Sequence, residues 1–192
     1  SFFVKEVQPH LVKFENDLNI KQTDSEFFNN LSDNELLNYK RKAQLSLELF
    51  REENIPLDVE QSNLSQEYAA ATGAMSIEFD GKELTMQQAG NILRDSDRQK
   101  RETIYKAINA RRMQDKDALN SIFDKLTELR QQQANNCGFK NYRDFKHKAL
   151  GRFDYSIEDV ETFQKAVEKV AVPLQDILLK ERKEALKIES LK

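Results

Sequence analysis

The sequence predicts an all-α fold, a multi-helix lobe with one small β-hairpin at about 75–84. Three observations carry this reading. Along most of the chain apolar residues recur every three or four positions, the period of amphipathic helices. Glycine and proline are scarce, five and three in 192 residues, whereas Gln, Lys, Glu and Leu abound, which favours long helices over strands. The period changes in one short stretch. There Met75, Ile77 and Phe79 alternate with Ser76 and Glu78, as in a half-buried strand, and Asp80-Gly81 is the dipeptide a two-residue type I′ turn requires.

From the N-terminus, Phe3, Val7, Leu11, Phe14 and Leu18 form the apolar face of a helix over residues 2 to about 22. Pro9 lies either in the first turn of a newly begun helix or at a kink. Thr23-Asp-Ser25 breaks the pattern, and Glu26 to Asn30 forms a short turn. Ser32-Asp-Asn-Glu35 is a capping box opening a helix to about Arg51, with Leu36, Tyr39, Ala43, Leu47 and Phe50 as its stripe. Asn54-Ile55-Pro56 is expected to force a break, because the residue before proline avoids the helical region. Leu57, Leu64, Tyr68, Ala71 and Met75 mark the next helix, which Gly73 helps to end.

The hairpin follows. With Asp80-Gly81 as its loop, Phe79 faces Lys82, Glu78 faces Glu83 and Ile77 faces Leu84, so Met75, Ile77, Phe79 and Leu84 share an apolar face that must lie on helices. Thr85-Met-Gln-Gln88 is a capping box for a short helix ending near Leu93, and Ser96-Asp-Arg-Gln99 reads as a second box. One long helix is expected from Asp97 to about Asn136, with 113–116 as the place for a bend. Leu119, Ile122, Leu126, Leu129 and Gln133 form a seam in it. Fewer than three heptads are sustained, so the seam is read as intramolecular core rather than a dimer zipper. Gly138 suits a left-handed cap after Cys137. Asn141 opens a helix to about Leu150, Gly151 ends it, and Ser156-Ile-Glu-Asp159 opens the last helix. That helix carries Val160, Phe163, Val167, Val170, Leu174, Ile177 and Ala185, with Pro173 as its expected kink.

The run Ala74-Met-Ser-Ile-Glu-Phe-Asp-Gly-Lys-Glu-Leu-Thr-Met-Gln-Gln-Ala89, together with Asp95-Ser-Asp-Arg98 and Arg111-Arg-Met-Gln-Asp-Lys-Asp-Ala-Leu119, resembles the N-terminal helical region of oligoendopeptidase F, a thimet-type zinc peptidase family. Gly138-Phe-Lys-Asn-Tyr-Arg-Asp144 and Ala149-Leu-Gly-Arg-Phe-Asp-Tyr155 continue the pattern, so the resemblance spans nearly the whole chain. It implies that residues 1–192 are the N-terminal helical lobe of a larger zinc-dependent oligoendopeptidase. Such an enzyme cuts internal peptide bonds of oligopeptides in a deep cavity between two largely helical lobes. The ends agree with a segment: the chain opens on Ser1 in mid-period and closes on Ile188-Glu-Ser-Leu-Lys192 without a stop signal.

The family holds zinc with His-Glu-x-x-His on a helix and a further Glu from another. Histidines at i and i+4 share a helix face, and the intervening Glu reaches the metal-bound water as general base. No such motif occurs here. The two histidines, His10 and His147, have no histidine partner four residues away. A site bridging His10, His147 and Cys137 is the alternative, and solvated or core-edge histidines are favoured because their spacing resembles no ligand set. No residue of this chain is therefore assigned as catalytic, cofactor-binding or metal-ligating. Zinc is expected in the parent protein and not in this segment. The expected partners are an oligopeptide substrate and the C-terminal catalytic region of the same chain.

Other function classes fare worse. Charged residues make up 33% of the chain with a formal net charge of −3. The basic run Arg98, Lys100, Arg101, Lys106, Arg111 and Arg112 is interleaved with Asp95, Asp97, Glu102, Asp115 and Asp117, so a solvated helix face is expected rather than a nucleic-acid surface. No apolar run approaches the roughly 18 residues of a membrane span and no signal segment opens the chain, so a cytoplasmic location without membrane partners is expected. Cys137, the single cysteine, rules out an internal disulfide. At a helix C-terminus it lacks the positive dipole that would activate a thiol. The competing reading is a free-standing helical protein-interaction module.

Overall fold

The computed structural model describes residues 2–31 and 36–191. Among them are nine α-helices, a short π-helical turn and one two-stranded antiparallel sheet. The predicted capping box at Ser32–Glu35 lies outside the described residues. The chain separates into two compact units, Ser1–Tyr142 and Arg143–Lys192.

The first unit begins with a π turn, Phe3–Val7, running into α1, Gln8–Thr23. Pro9 sits in the first turn of α1, directly after the π turn. A single helical turn, α2 (Glu26–Asn29), buries Phe28 and leads to α3, Leu37–Leu49. Helix α3 buries Ala43 from its expected stripe and also Leu45, which the stripe omitted. The next helix, α4, spans Asn54–Gly73 and corrects one expectation. Asn54-Ile55-Pro56 is not the break: the chain leaves the helix at Phe50, whose backbone is extended, and Asn54 to Pro56 already form the first turn of α4. Proline belongs in that turn because the first N–H groups of a helix have no intrahelical partner.

Strands β1, Ser76–Phe79, and β2, Lys82–Thr85, pair in the predicted register, with Ile77 opposite Leu84 and Phe79 opposite Lys82. Asp80 and Gly81 both take positive φ, 52° and 70°, as a type I′ turn demands. Helix α5, Met86–Ile92, starts from the Thr85 box: the Gln88 N–H donates to Thr85 Oγ1 and the Thr85 N–H to Gln88 Oε1. Helix α6 spans Arg98–Gln114. Ile77, Ala89, Ile104 and Ile108 form a buried cluster, with Phe79, Leu84, Met86 and Ile92 around it, so the hairpin's apolar face rests on α5 and α6.

Two further expectations are corrected here. The cap of α6 is Asp97, not Ser96: its carboxylate accepts from the N–H groups of Gln99 and Lys100. An aspartate caps as well as a serine and adds charge at the positive end of the helix dipole. The long helix is also two helices. Helix α6 stops at Gln114, Asp115 leaves helical geometry at φ −99°, ψ 7°, and α7 runs Lys116–Asn136. Asp115 is also ion-paired with Arg111 one turn back.

Helix α7 packs along α4. Its seam residues Leu119, Ile122, Leu126 and Leu129 are half-buried and Gln133 is buried, so the seam does serve as intramolecular core. The helix ends as expected at Gly138, φ 81°. The Gly138 N–H reaches the Asn135 carbonyl and the Phe139 N–H the Ala134 carbonyl, the paired bonds of a Schellman motif.

The second unit contains α8, Tyr142–Ala149, which crosses into it from its first residue, and α9, Ile157–Ala185. Gly151, φ 65°, turns the chain after α8. Ser156 and Asp159 cap α9 reciprocally, and Arg143 bridges the two helices through Glu161 at 2.7 Å. Pro173 lies inside α9 and leaves the Lys169 carbonyl without its intrahelical donor.

Candidate functional site

The residue types that could carry chemistry sit in different settings. His10 is in the first turn of α1 and exposed. His147, on α8, meets Tyr155 edge to face at 5.4 Å, and its buried Nε2 has no hydrogen-bond partner. Cys137 caps α7 half-buried. Among the described residues no three or more His, Cys, Asp or Glu side chains are grouped to hold a metal ion. The donor set therefore does not fit zinc.

Cys137 belongs to a polar knot between the start of α4 and the end of α7. Its thiol donates to the Leu49 carbonyl at 3.3 Å and accepts from Asn54 Nδ2 at 3.4 Å. Asn54 Nδ2 also approaches the Gln133 carbonyl at 3.3 Å, and Asn136 Nδ2 donates to Asn54 Oδ1 at 2.7 Å. Gln133 Nε2 donates to Asp58 Oδ1 at 2.5 Å, and Arg51 Nε to the Asn136 carbonyl at 3.1 Å. Asn54 and Gln133 are the buried polar side chains of the described residues. Burial raises the Cys137 thiol pKa above its ordinary value, which leaves less thiolate and makes it a poor nucleophile. This knot ties the start of α4 to the end of α7. Sequence reasoning missed it, although polar Gln131 to Asn136 closing an amphipathic helix was a visible signal.

The basic stretch on α6 is largely paired within the chain. Lys100 meets Asp95 at 2.8 Å, Arg101 donates to the carbonyls of Asp95 and Ser96, Lys106 meets Glu102 at 2.6 Å, and Arg111 meets Asp115. The Lys100 hydrogen bond holds the Asp95 carboxyl below its ordinary range, and Asp95 in turn raises Lys100. Cations engaged this way match a solvated helix face better than a track for phosphates.

The feature without an internal role is the surface of α9. None of its residues is buried, and Phe163 and Val170 are each 69% exposed. Leu174, Ile177 and Leu178 are more than half exposed as well. Helix α1 and the π turn before it show a smaller version, with Phe3, Phe14 and Leu18 exposed. Contiguous apolar surface of this kind marks an interaction face. The candidate site is accordingly the exposed apolar surface of α9.

Known proteins place this architecture. The family model described as Peptidase family M3 matches residues 91–192. A solved structure assigned as oligoendopeptidase F from Bacillus anthracis superposes with a TM-score of 0.92 at 22% identity, over 100% of this chain and 35% of that one. A second structure assigned as oligoendopeptidase F, without a stated organism, gives 0.90 at 24% identity over 99% and 34%. PZ peptidase A, solved with an inhibitor, gives 0.91 at 28% identity over 100% and 34%. This chain thus spans about a third of the length of the solved chains it matches. No curated protein matches it at a comparable significance. With more than half of its residues inside the family model, the chain belongs to Peptidase family M3.

Proposed function

We propose that this chain is the non-catalytic N-terminal helical lobe of a zinc-dependent oligoendopeptidase. It forms one wall of a cavity that admits unfolded oligopeptides and excludes folded proteins. The observation that carries the proposal is the full superposition of this chain on about a third of each oligopeptidase structure, with the unpaired apolar face of α9 in the second unit. In this reading the His-Glu-x-x-His segment belongs to the other part of a cytoplasmic parent chain. Zinc supplies the Lewis acid there. The residues described here contribute sterics: α4 and α7, locked by the Asn54–Gln133 knot, give the wall rigidity, and α9 gives it a seat.

Metal analysis after dialysis and a fluorogenic oligopeptide assay on the 192-residue chain test the division of labour. The expected result is no turnover and no stoichiometric zinc. Zinc near one equivalent, or clear turnover, contradicts it. The competing reading, a free-standing helical interaction module, predicts a parent reading frame without His-Glu-x-x-His.

A further inference from the structure

We propose that Arg130, on α7, is a carboxylate-binding subsite of the first unit. Its surroundings single it out. The guanidinium lies over the Tyr142 ring, 5.7 Å from the ring centroid, a cation–π contact within the same unit. Its Nε is buried and has no hydrogen-bond partner, whereas its two Nη groups reach solvent and donate to no group among the described residues. No acid is placed to pair with it along the helix either. The positions three and four residues away on α7 are Leu126, Thr127, Gln133 and Ala134. Other arginines drawn into the fold are matched: Arg51 and Arg101 donate to backbone carbonyls, Arg111 meets Asp115, and Arg143 meets Asp144 and Glu161.

A guanidinium whose inner edge is withdrawn from water has lost hydration that only an acceptor restores. Arginine cannot shed its charge to relieve that cost. The two free Nη groups match the two oxygens of a carboxylate, the bidentate pairing this side chain makes best. Contact with Tyr142 restrains the fork before a ligand arrives, so less ordering is left to be done on binding. The proposal deepens the lobe reading above and rests on it for the ligand. In a wall of an oligopeptide cavity a carboxylate comes from one of two sources, the C-terminus of the substrate or an Asp or Glu of the parent chain outside residues 1–192.

The test separates the two sources. The parent enzyme, unsubstituted and as Arg130→Met and Arg130→Lys, is assayed on one fluorogenic oligopeptide made with a free C-terminal carboxylate and again as the carboxamide. Melting temperatures are measured for the same three forms of the parent and of the 192-residue chain. If the substrate supplies the carboxylate, the unsubstituted parent has a KM for the acid at least about tenfold below that for the amide. That ratio falls toward one in Arg130→Met, is partly kept in Arg130→Lys, and kcat changes little. If the parent supplies it, acid and amide behave alike, and Arg130→Met lowers the parent's melting temperature by at least about 2 °C more than that of the 192-residue chain, because a carboxylate loses its cation. Arg130→Lys then loses less. The comparison with the 192-residue chain subtracts the lost contact with Tyr142. Equal KM values together with equal melting shifts overturn the proposal and leave the lobe reading standing. That reading fails separately, on a parent without the zinc motif, where the melting comparison still reads Arg130.

Discussion

Gly81 is the clearest case of a residue whose identity is dictated by its backbone. At φ 70° it sits where a β-branched side chain is strained, although a Cβ there would meet no atom within 4 Å. Gly81→Val should therefore destabilise the fold by about 1 kcal/mol or more, through torsion and not through a clash. Chemical denaturation checks this, and an unchanged midpoint would count against the turn. Asn54 is the second case, because its amide both donates and accepts inside the α4–α7 seam. Asn54→Ala takes this acceptor from the Asn136 amide and this donor from the Cys137 sulfur, while the Gln133 carbonyl keeps the Cys137 N–H, and should cost about 1–3 kcal/mol. If the loss is negligible, water replaces the knot without penalty. The hairpin register and Gly138 were legible because positive-φ chemistry admits few residue types. The cap of α6 was misplaced by one residue because Ser96 and Asp97 are both good caps, and choosing between them needs the backbone geometry.

At the scale of elements, caps tie helix stability to pH. Asp159 lies below its ordinary value of 3.8 because it accepts from the Ser156 backbone N–H and hydroxyl at the start of α9, and Asp95 lies below it because of Lys100. A carboxyl whose folded pKa is depressed binds its proton more readily in the unfolded chain. Its contribution is complete above 3.8 and is lost as pH falls from there through the lower folded value. Helicity of the isolated chain should thus decline on acidification below about pH 4, and Asp159→Asn should flatten part of that decline. Circular dichroism against pH is the check; identical profiles would remove the Ser156 box from the account. Helix periods were legible almost everywhere. The bend expected at 113–116 fell in the right place, but that it divides two helices at Asp115 was not legible, since an aspartate inside a charged, regular pattern gives no proline or glycine signal. The Pro56 error had the opposite cause: proline marks a boundary, but its side of the boundary depends on where the first turn begins.

For the whole molecule, the split is between a unit whose core is closed and a helix that is open. Ile104 and Ala89 are fully enclosed in the first unit, whereas α9 buries none of its residues. The apolar stripe of α9 was readable from its period; its lack of a partner follows only from three-dimensional packing, because a stripe shows that a face needs cover and not where the cover is. Burial of apolar surface is worth about 25 cal/mol per Å², so a few hundred Å² along α9 would favour docking by several kcal/mol before the entropic cost of association. Phe163→Glu and Val167→Glu should weaken that docking while leaving the first unit's stability unchanged, since both residues are exposed on α9.

Activity in trans tests the central claim most directly. The remainder of the parent chain, carrying the zinc motif, is produced separately and assayed on a fluorogenic oligopeptide with and without this chain. Adding residues 1–192 should raise the remainder's peptidase activity, and Phe163→Glu and Val167→Glu should reduce the rescue. A remainder that is fully active alone and indifferent to this chain would contradict that claim, because the lobe would then be no necessary wall of the cavity.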